Sequence, residues 1–260
     1  MKWELKKYDI KYLTKKSSEF GESKLITRLL LNRGIDTRKK VEKFLNTSEN
    51  DLLDPFLFEN MEKVVERIKL AKLKKEKIVI YGDYDVDGIS GVAYLVIMLR
   101  KLGLNVDYYI PNRVHEGFGI NRSTINFLKR RDTKLFITVD ISINSREEIT
   151  LLKKNGIDII VTDHHRQTTV CDEMEILTIN PKISKSYPNK YLSGAGVAFK
   201  VACAIYERLG MSKKILYDYL DIVMIGTVAD VVPMVNENRF IIKKGLNNIK
   251  KTKIKKKKKK

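Results

Sequence analysis

Up to about residue 75 the apolar positions recur at helical spacing in a polar background. Leu25, Ile26, Leu29, Leu30 and Leu31 give a helix over 23–32 an apolar face, and Arg33-Gly34-Ile35-Asp36 reads as a glycine stop. A second helix over 37–45 takes Thr37 as its N-cap. Asp54-Pro55 interrupts the pattern, and 61–74 resumes it with Val64, Val65, Ile68 and Ala71 on one side. No chemical motif occurs in this stretch. It is expected to be a helical N-terminal region, with Trp3 as a packing residue rather than a stacking platform.

From Lys77 the period changes. Apolar runs of strand length at 78–82, 106–110, 135–140, 157–163 and 176–180 alternate with amphipathic segments at 89–102, 121–131, 145–154, 195–209 and 213–227. Alternation of this kind predicts an α/β fold, a parallel β-sheet flanked by helices. The nearly continuous apolar character of the strands agrees with burial on both faces. The expected organisation is a helical region over 1–75, an α/β domain over 76–235, and a final helix running into lysines over 236–260.

Acidic residues gather where the strands end. The first apolar run stops in Gly82-Asp83-Tyr84-Asp85-Val86-Asp87-Gly88, the third in Thr138-Val139-Asp140, and the fourth in Thr162-Asp163-His164-His165. Sites in open parallel sheets form outside the carboxyl ends of the strands, so these residues are expected at one edge. Three neighbouring carboxylates repel one another unless a cation or a donor compensates. Asp87-Gly88 by itself would read only as a turn. Asp230 closes the apolar run of Gly226-Thr227-Val228-Ala229-Asp230, a setting in which a charge calls for a partner. Aspartates with one or two histidines suit manganese or magnesium rather than a thiolate-seeking metal. Several carboxylates able to bridge favour two ions, which activate water and stabilise both oxygens of an in-line phosphoryl displacement. No Walker-type loop or serine–histidine–acid arrangement competes, so no nucleotide cofactor is expected. Gly194 and Gly196 either let backbone amides approach a phosphate or allow close helix packing.

Composition adds limits. No run of about eighteen apolar residues exists to span a membrane, and Met1-Lys2-Trp3-Glu4-Leu5 lacks the apolar core of a secretion signal. Cys171 and Cys203 make no metal-type pair and read as free thiols in a reducing compartment, so the cytoplasm is expected. The formal net charge is +19, but eleven lysines and no acid lie in 243–260, which leaves +8 on the rest. That moderate excess fits a polyanionic partner. The terminal run of six lysines is either a basic arm for nucleic acid or the product of a slipped reading frame, and the second is favoured.

The four acidic motifs together resemble those of the DHH phosphoesterases. Accompanying stretches resemble the branch of that family that degrades single-stranded DNA from 5′ ends: Arg33-Gly34-Ile35, Asp54-Pro55-Phe56, Pro111-Asn112-Arg113 with Glu116-Gly117-Phe118-Gly119, and Ser193-Gly194-Ala195-Gly196-Val197-Ala198-Phe199-Lys200. The resemblance runs from about residue 25 to 248 and implies a metal-dependent exonuclease of DNA repair and recombination that releases 5′-mononucleotides. It assigns two Mn2+ or Mg2+ ions to Asp85, Asp87, Asp140, His164 and Asp230, with Asp140 as the bridge. His165 would contact the scissile phosphate or act as general acid, and Asp83 would support the ligating acids. Arg113 and Lys200 are candidate contacts for backbone phosphates, with an ordinary surface charge the favoured reading of each. A single-strand-binding protein and a helicase are the partners this branch implies.

The chain departs from the family pattern in places. Tyr81 stands where some members carry a histidine, which weakens one ion site or leaves water there. Ser142 follows Asp140 where glycine is usual, and local strain is expected from it. The family continues beyond this domain into a substrate-binding module, so the expected product here is a truncated chain that keeps the metal centre and binds DNA poorly. Two other readings use the same residues or none of them: a phosphodiesterase of very short RNA or cyclic dinucleotides, and a non-catalytic remnant or basic binding module.

Overall fold

The computed structural model describes residues 6–112, 114, 120–166 and 170–250 of the 260. Two compact units divide at Asp51/Leu52. The first holds α1 (Ile10–Phe20), α2 (Lys24–Asn32) and α3 (Arg38–Leu45). Each opens on a side-chain cap: Asp9 accepts from Tyr12 N, Ser23 from Ile26 N and Thr37 from Lys40 N. Gly34 stops α2 at φ +73°, the left-handed position expected of it. Leu13, Phe20, Leu30, Leu31 and Val41 form a small core of their own.

The second unit is a five-stranded sheet in the order β2-β1-β3-β4-β5, parallel throughout. Its strands are β1 (Lys77–Gly82), β2 (Asn105–Tyr109), β3 (Thr133–Val139), β4 (Asp158–Thr162) and β5 (Leu177–Ile179). The five expected strands are all present, with ends displaced by one or two residues. Alternate side chains feed opposite faces. Ile78, Ile80, Leu135, Ile137 and Ile160 enter one core with α4 (Met61–Leu73), α5 (Val86–Lys101), α9 (Gly194–Arg208) and α11 (Leu220–Ala229). Val79, Tyr81, Phe136, Ile159 and Val161 enter the other with α6 (Arg122–Arg130) and α7 (Arg146–Lys154).

Two organisational details differ from expectation. Helix α4 belongs to the α/β unit and not to a helical region ending at residue 75, because Met61, Val64, Val65, Ile68 and Ala71 are all buried in the larger core. The helix expected over 213–227 is two helices, α10 (Lys214–Asp218) and α11, separated by Tyr219 at φ −112°, ψ 17°. The break lets Leu216 and Leu220 both reach full burial. The short α8 (Val170–Glu173) and the final α12 (Glu237–Ile249) complete the order. Cys171 and Cys203 are buried free thiols, and burial pushes the Cys203 thiol up to about 12. Among the described residues no helix is long and apolar enough to cross a membrane.

Candidate metal centre

The carboxyl edge of the sheet collects the expected acids from four separate elements. Asp83 follows β1, and its carboxylate accepts from Tyr84 N at 2.7 Å. Asp85 is the N-cap of α5 and accepts from Gly88 N at 2.9 Å. A Cβ on Gly88 would lie 2.6 Å from Asp83 O, so only glycine lets the chain fold back this closely. Asp140 follows β3 in the left-handed region at φ +61°, a conformation an aspartate adopts at some cost. Its N–H donates to Thr162 O at 2.9 Å, and the Thr138 hydroxyl donates to Ile141 O at 2.7 Å. These bonds pin the turn that aims the carboxylate. The strain expected at Ser142 therefore sits two residues earlier.

Three helices close over this edge. Asp87, in the first turn of α5, accepts from Gly194 N at 2.6 Å and Ala195 N at 3.0 Å, the opening amides of α9. A Cβ on Gly194 would fall 2.5 Å from Asp140 Cβ, and one on Gly226 would fall 2.6 Å from Asp87 Oδ1. Gly194 thus permits close packing on Asp140, and the amides that open α9 receive the Asp87 carboxylate. Asp230 is the C-cap of α11. It faces His164 Nε2 with an Oδ2 distance of 3.6 Å.

His164 is the hub. Its Nε2 lies 3.1 Å from Asp140 Oδ1 and 3.8 Å from Asp87 Oδ2. Three sets of ligand atoms lie within 4.8 Å of one another: Asp83, Asp85 and Asp140; Asp87, His164 and Asp230; and Asp140, His164 and His165. Among the described residues Asp140 Oδ1, both His164 nitrogens and Asp230 Oδ2 are buried without a hydrogen-bond partner. Buried polar atoms are normally satisfied. Orphaned ligand atoms converging from three elements, the ends of β3 and β4 and the C-cap of α11, fit a cation.

The electrostatics agree. Burial, then the neighbouring Asp87 and Asp85, push the Asp140 carboxyl up to about 9. Burial also raises Asp87 against the opposing α9 amides, and lowers His164 despite the acids around it. The raised carboxyls mark negative charge that the protein's own donors leave uncompensated.

His165 is arranged differently. Half its ring is exposed, and Nδ1 lies 2.9 Å from Asp163 Oδ1, a hydrogen bond that raises the imidazole to about 9. Asp163 is fully buried. Burial alone would raise its carboxyl, but hydrogen bonds from His165 and Ser142 outweigh that and hold it below the ordinary range.

Residues 77–227 match the DHH family, N-terminal domain. The chain belongs to the DHH family. The single-stranded-DNA-specific exonuclease RecJ of Bacillus subtilis (strain 168) is 37% identical over 252 residues, which is 97% of this chain and 31% of the relative. RecJ of Thermus thermophilus in complex with Mn2+ superposes with a TM-score of 0.76 at 27% identity, covering 96% of this chain and 35% of that one. The Mg2+ complex of the same protein gives 0.66 at 25% identity, covering 96% and 31%. This DHH-family chain thus spans about a third of the length of these relatives.

Of the residues singled out in the sequence, Asp83, Asp85, Asp87, Asp140, His164, His165 and Asp230 meet at this edge. Asp83 lies among potential ligands rather than outside them. Arg113 falls outside the described residues, as do 115–119 of the same motif. Lys200 requires correction. It is 1% exposed in the middle of α9, its ammonium 2.9 Å from Glu237 Oε2 and also donating to Leu53 O, so it cannot reach a DNA phosphate. Tyr81 packs in the second core, stacked on Tyr109 at 5.9 Å and tilted against Phe136 at 5.6 Å. Sequence reasoning gave no role to Asp163, Ser142 or Asn180. Asp163 was visible inside a motif, whereas nothing marked Ser142 as a partner of Asp163 or Asn180 as a partner of His165.

Proposed function

We propose that this chain is the catalytic domain of a Mn2+- or Mg2+-dependent exonuclease that hydrolyses single-stranded DNA from the 5′ end to 5′-mononucleotides, as in repair or recombination. The observation that carries the reading is the set of orphaned buried ligand atoms on Asp140, His164 and Asp230 at the carboxyl edge. The DHH membership and the manganese- and magnesium-bound RecJ structures supply the metal and the substrate class.

Asp83, Asp85 and Asp140 would hold one ion, and Asp87, His164 and Asp230 the other. Asp140 Oδ1, 3.1 Å from His164 Nε2, lies between the two sets. Two ions in such a site supply an activated water and stabilisation of the attacking and leaving oxygens. Asp87 is kept in place by the α9 amides. His165 stands half-exposed beside these ligand sets, its imidazole raised by the hydrogen bond to Asp163. It binds the scissile phosphate, or gives its proton to the departing oxygen.

The purified chain should release mononucleotides from a 5′-labelled oligodeoxynucleotide when Mn2+ is added, and calorimetry should count two bound Mn2+. Asp140→Ala should bring both turnover and Mn2+ binding to background. Undiminished turnover in that variant would overturn the assignment of the centre. Faster cleavage of a dinucleotide or cyclic dinucleotide than of the oligodeoxynucleotide would replace the substrate class.

A further inference from the structure

The His165 ring is held by a buried chain of groups that begins at the Asp140 turn. Asp163 has both carboxylate oxygens committed, on opposite sides. Oδ1 accepts from His165 N at 3.2 Å and faces His165 Nδ1 at 2.9 Å, while Oδ2 accepts from Ser142 Oγ at 2.7 Å. Rotating the carboxylate breaks one side or the other, and at full burial no solvent replaces the lost donor. Ser142 lies two residues after Asp140, in the turn that Thr138 ties to Ile141 O. Its hydroxyl is therefore placed by the same backbone that places the shared carboxylate. Asn180 completes the cradle from behind. Its amide donates to His165 O at 2.9 Å, and its own carbonyl is fixed by Lys182 N at 2.9 Å.

We propose that Ser142 is a positioning residue: by occupying Asp163 Oδ2 it locks Asp163 Oδ1 onto His165 Nδ1, so that the ring presents Nε2 to the scissile phosphate in register with Asp140. The inference rests on the reading of His165 as the phosphate-facing group. A hydroxyl donor is what the geometry requires. Alanine leaves a buried carboxylate oxygen bare and the carboxylate free to turn, whereas threonine keeps the donor. Partners that orient a working histidine typically matter about 10- to 100-fold.

The test uses the full chain loaded with diamagnetic Mg2+. The sequence has three histidines, so imidazole NMR signals are assignable by single replacements. The His165 Nδ1–H resonance should be sharp and protected in the unmodified chain and in Ser142→Thr, and broadened in Ser142→Ala. Ser142→Ala should also lose about 10-fold in kcat, with KM for an oligodeoxynucleotide unchanged. A sharp, unshifted His165 signal in Ser142→Ala overturns the proposal, as does lower thermal stability with an unchanged kcat. If His165→Ala itself keeps full turnover, the phosphate-facing role of His165 falls instead, and the NMR comparison still decides whether Ser142 holds the ring.

Discussion

Replacing Lys200 by methionine separates two accounts of a residue that the sequence could not place. Methionine keeps the length of the aliphatic stem and removes only the charge and its hydrogen bonds. In the structure Lys200 and Glu237 are 1% and 0% exposed, and their closest polar atoms are 2.9 Å apart. Breaking such a pair costs about 3–5 kcal/mol, because the surviving charge stays buried without its counter-ion. Glu237 is not left bare, however. Leu53 N donates to it at 2.8 Å, Asn189 Nδ2 at 3.2 Å, and the Tyr187 hydroxyl donates as well. These three donors place the loss at the lower end of that range. Leu53 O loses a donor too, worth about 1 kcal/mol. The expected destabilisation is therefore roughly 3–4 kcal/mol. With a urea dependence of about 3 kcal/mol per molar for a domain this size, the unfolding midpoint should fall by roughly 1 M. Urea titration followed by far-ultraviolet circular dichroism measures it. Adding Glu237→Gln to Lys200→Met should cost much less than the sum of the single changes. A phosphate contact would behave in the opposite way. The urea midpoint would hold, and the slope of log K against log salt for single-stranded DNA would weaken by about 0.7. That result would refute the buried-pair account.

Two further perturbations test other parts of the structure. Gly226→Ala would set a methyl group 2.6 Å from Asp87 Oδ1, 2.9 Å from Ala195 Cβ and 3.1 Å from Ser90 Cβ, where α5, α9 and α11 meet. Overpacking of this kind costs about 1–3 kcal/mol. A lowered melting temperature together with weaker Mn2+ binding by calorimetry is expected, and unmodified values of both would contradict the contact. Glu59 illustrates a pH effect. Its slight burial works against the charged form, but hydrogen bonds from Ser184 and from the Ser186 and Lys185 amides hold its carboxyl down at about 2, against an ordinary 4.5. A carboxyl lowered on folding stabilises the protein above its unfolded pKa and loses that effect as pH falls from 4.5 toward 2. Because Glu59 is exposed, solvent limits the contribution to about 1 kcal/mol at neutral pH. Denaturation of Glu59→Gln and of the unmodified chain should differ at pH 7 and converge near pH 2; a gap that persists at pH 2 would contradict this.

The strands and the acids at their ends were legible because both follow from local pattern. A parallel strand buried on both faces must be apolar throughout, so the change to carboxylates after Gly82, Val139 and Thr162 marks the carboxyl edge directly. Lys200 was misread for the opposite reason. It is the one charge inside Gly194–Arg208 before the last turn, in a helix apolar on all sides. That pattern signals burial, yet a buried lysine needs a partner, and Glu237 stands 37 residues away at the start of α12. A contact set by tertiary packing leaves no periodicity in the chain. Ser142 has the same character, since a single hydroxyl carries no pattern and its meaning depends on where β4 delivers Asp163.

The glycines sharpen the point further. Gly194 offered two readings in the sequence, a phosphate cradle or close packing, and the structure joins parts of both. The amides at the start of α9 do receive an anion, but it is the Asp87 carboxylate, held 2.6 and 3.0 Å away. A helix N-terminus favours negative charge there, and burial opposes it. Burial wins, since the Asp87 carboxyl remains raised. Asp140 carries no such helix support and is pushed up to about 9. The centre is thus built with more carboxylate than its own donors satisfy. The deficit is largest where Asp140, His164 and Asp230 leave buried ligand atoms orphaned. Divalent cations remove such a deficit, and so the positions of the unsatisfied atoms, more than the number of acids, argue for a metal centre at this edge.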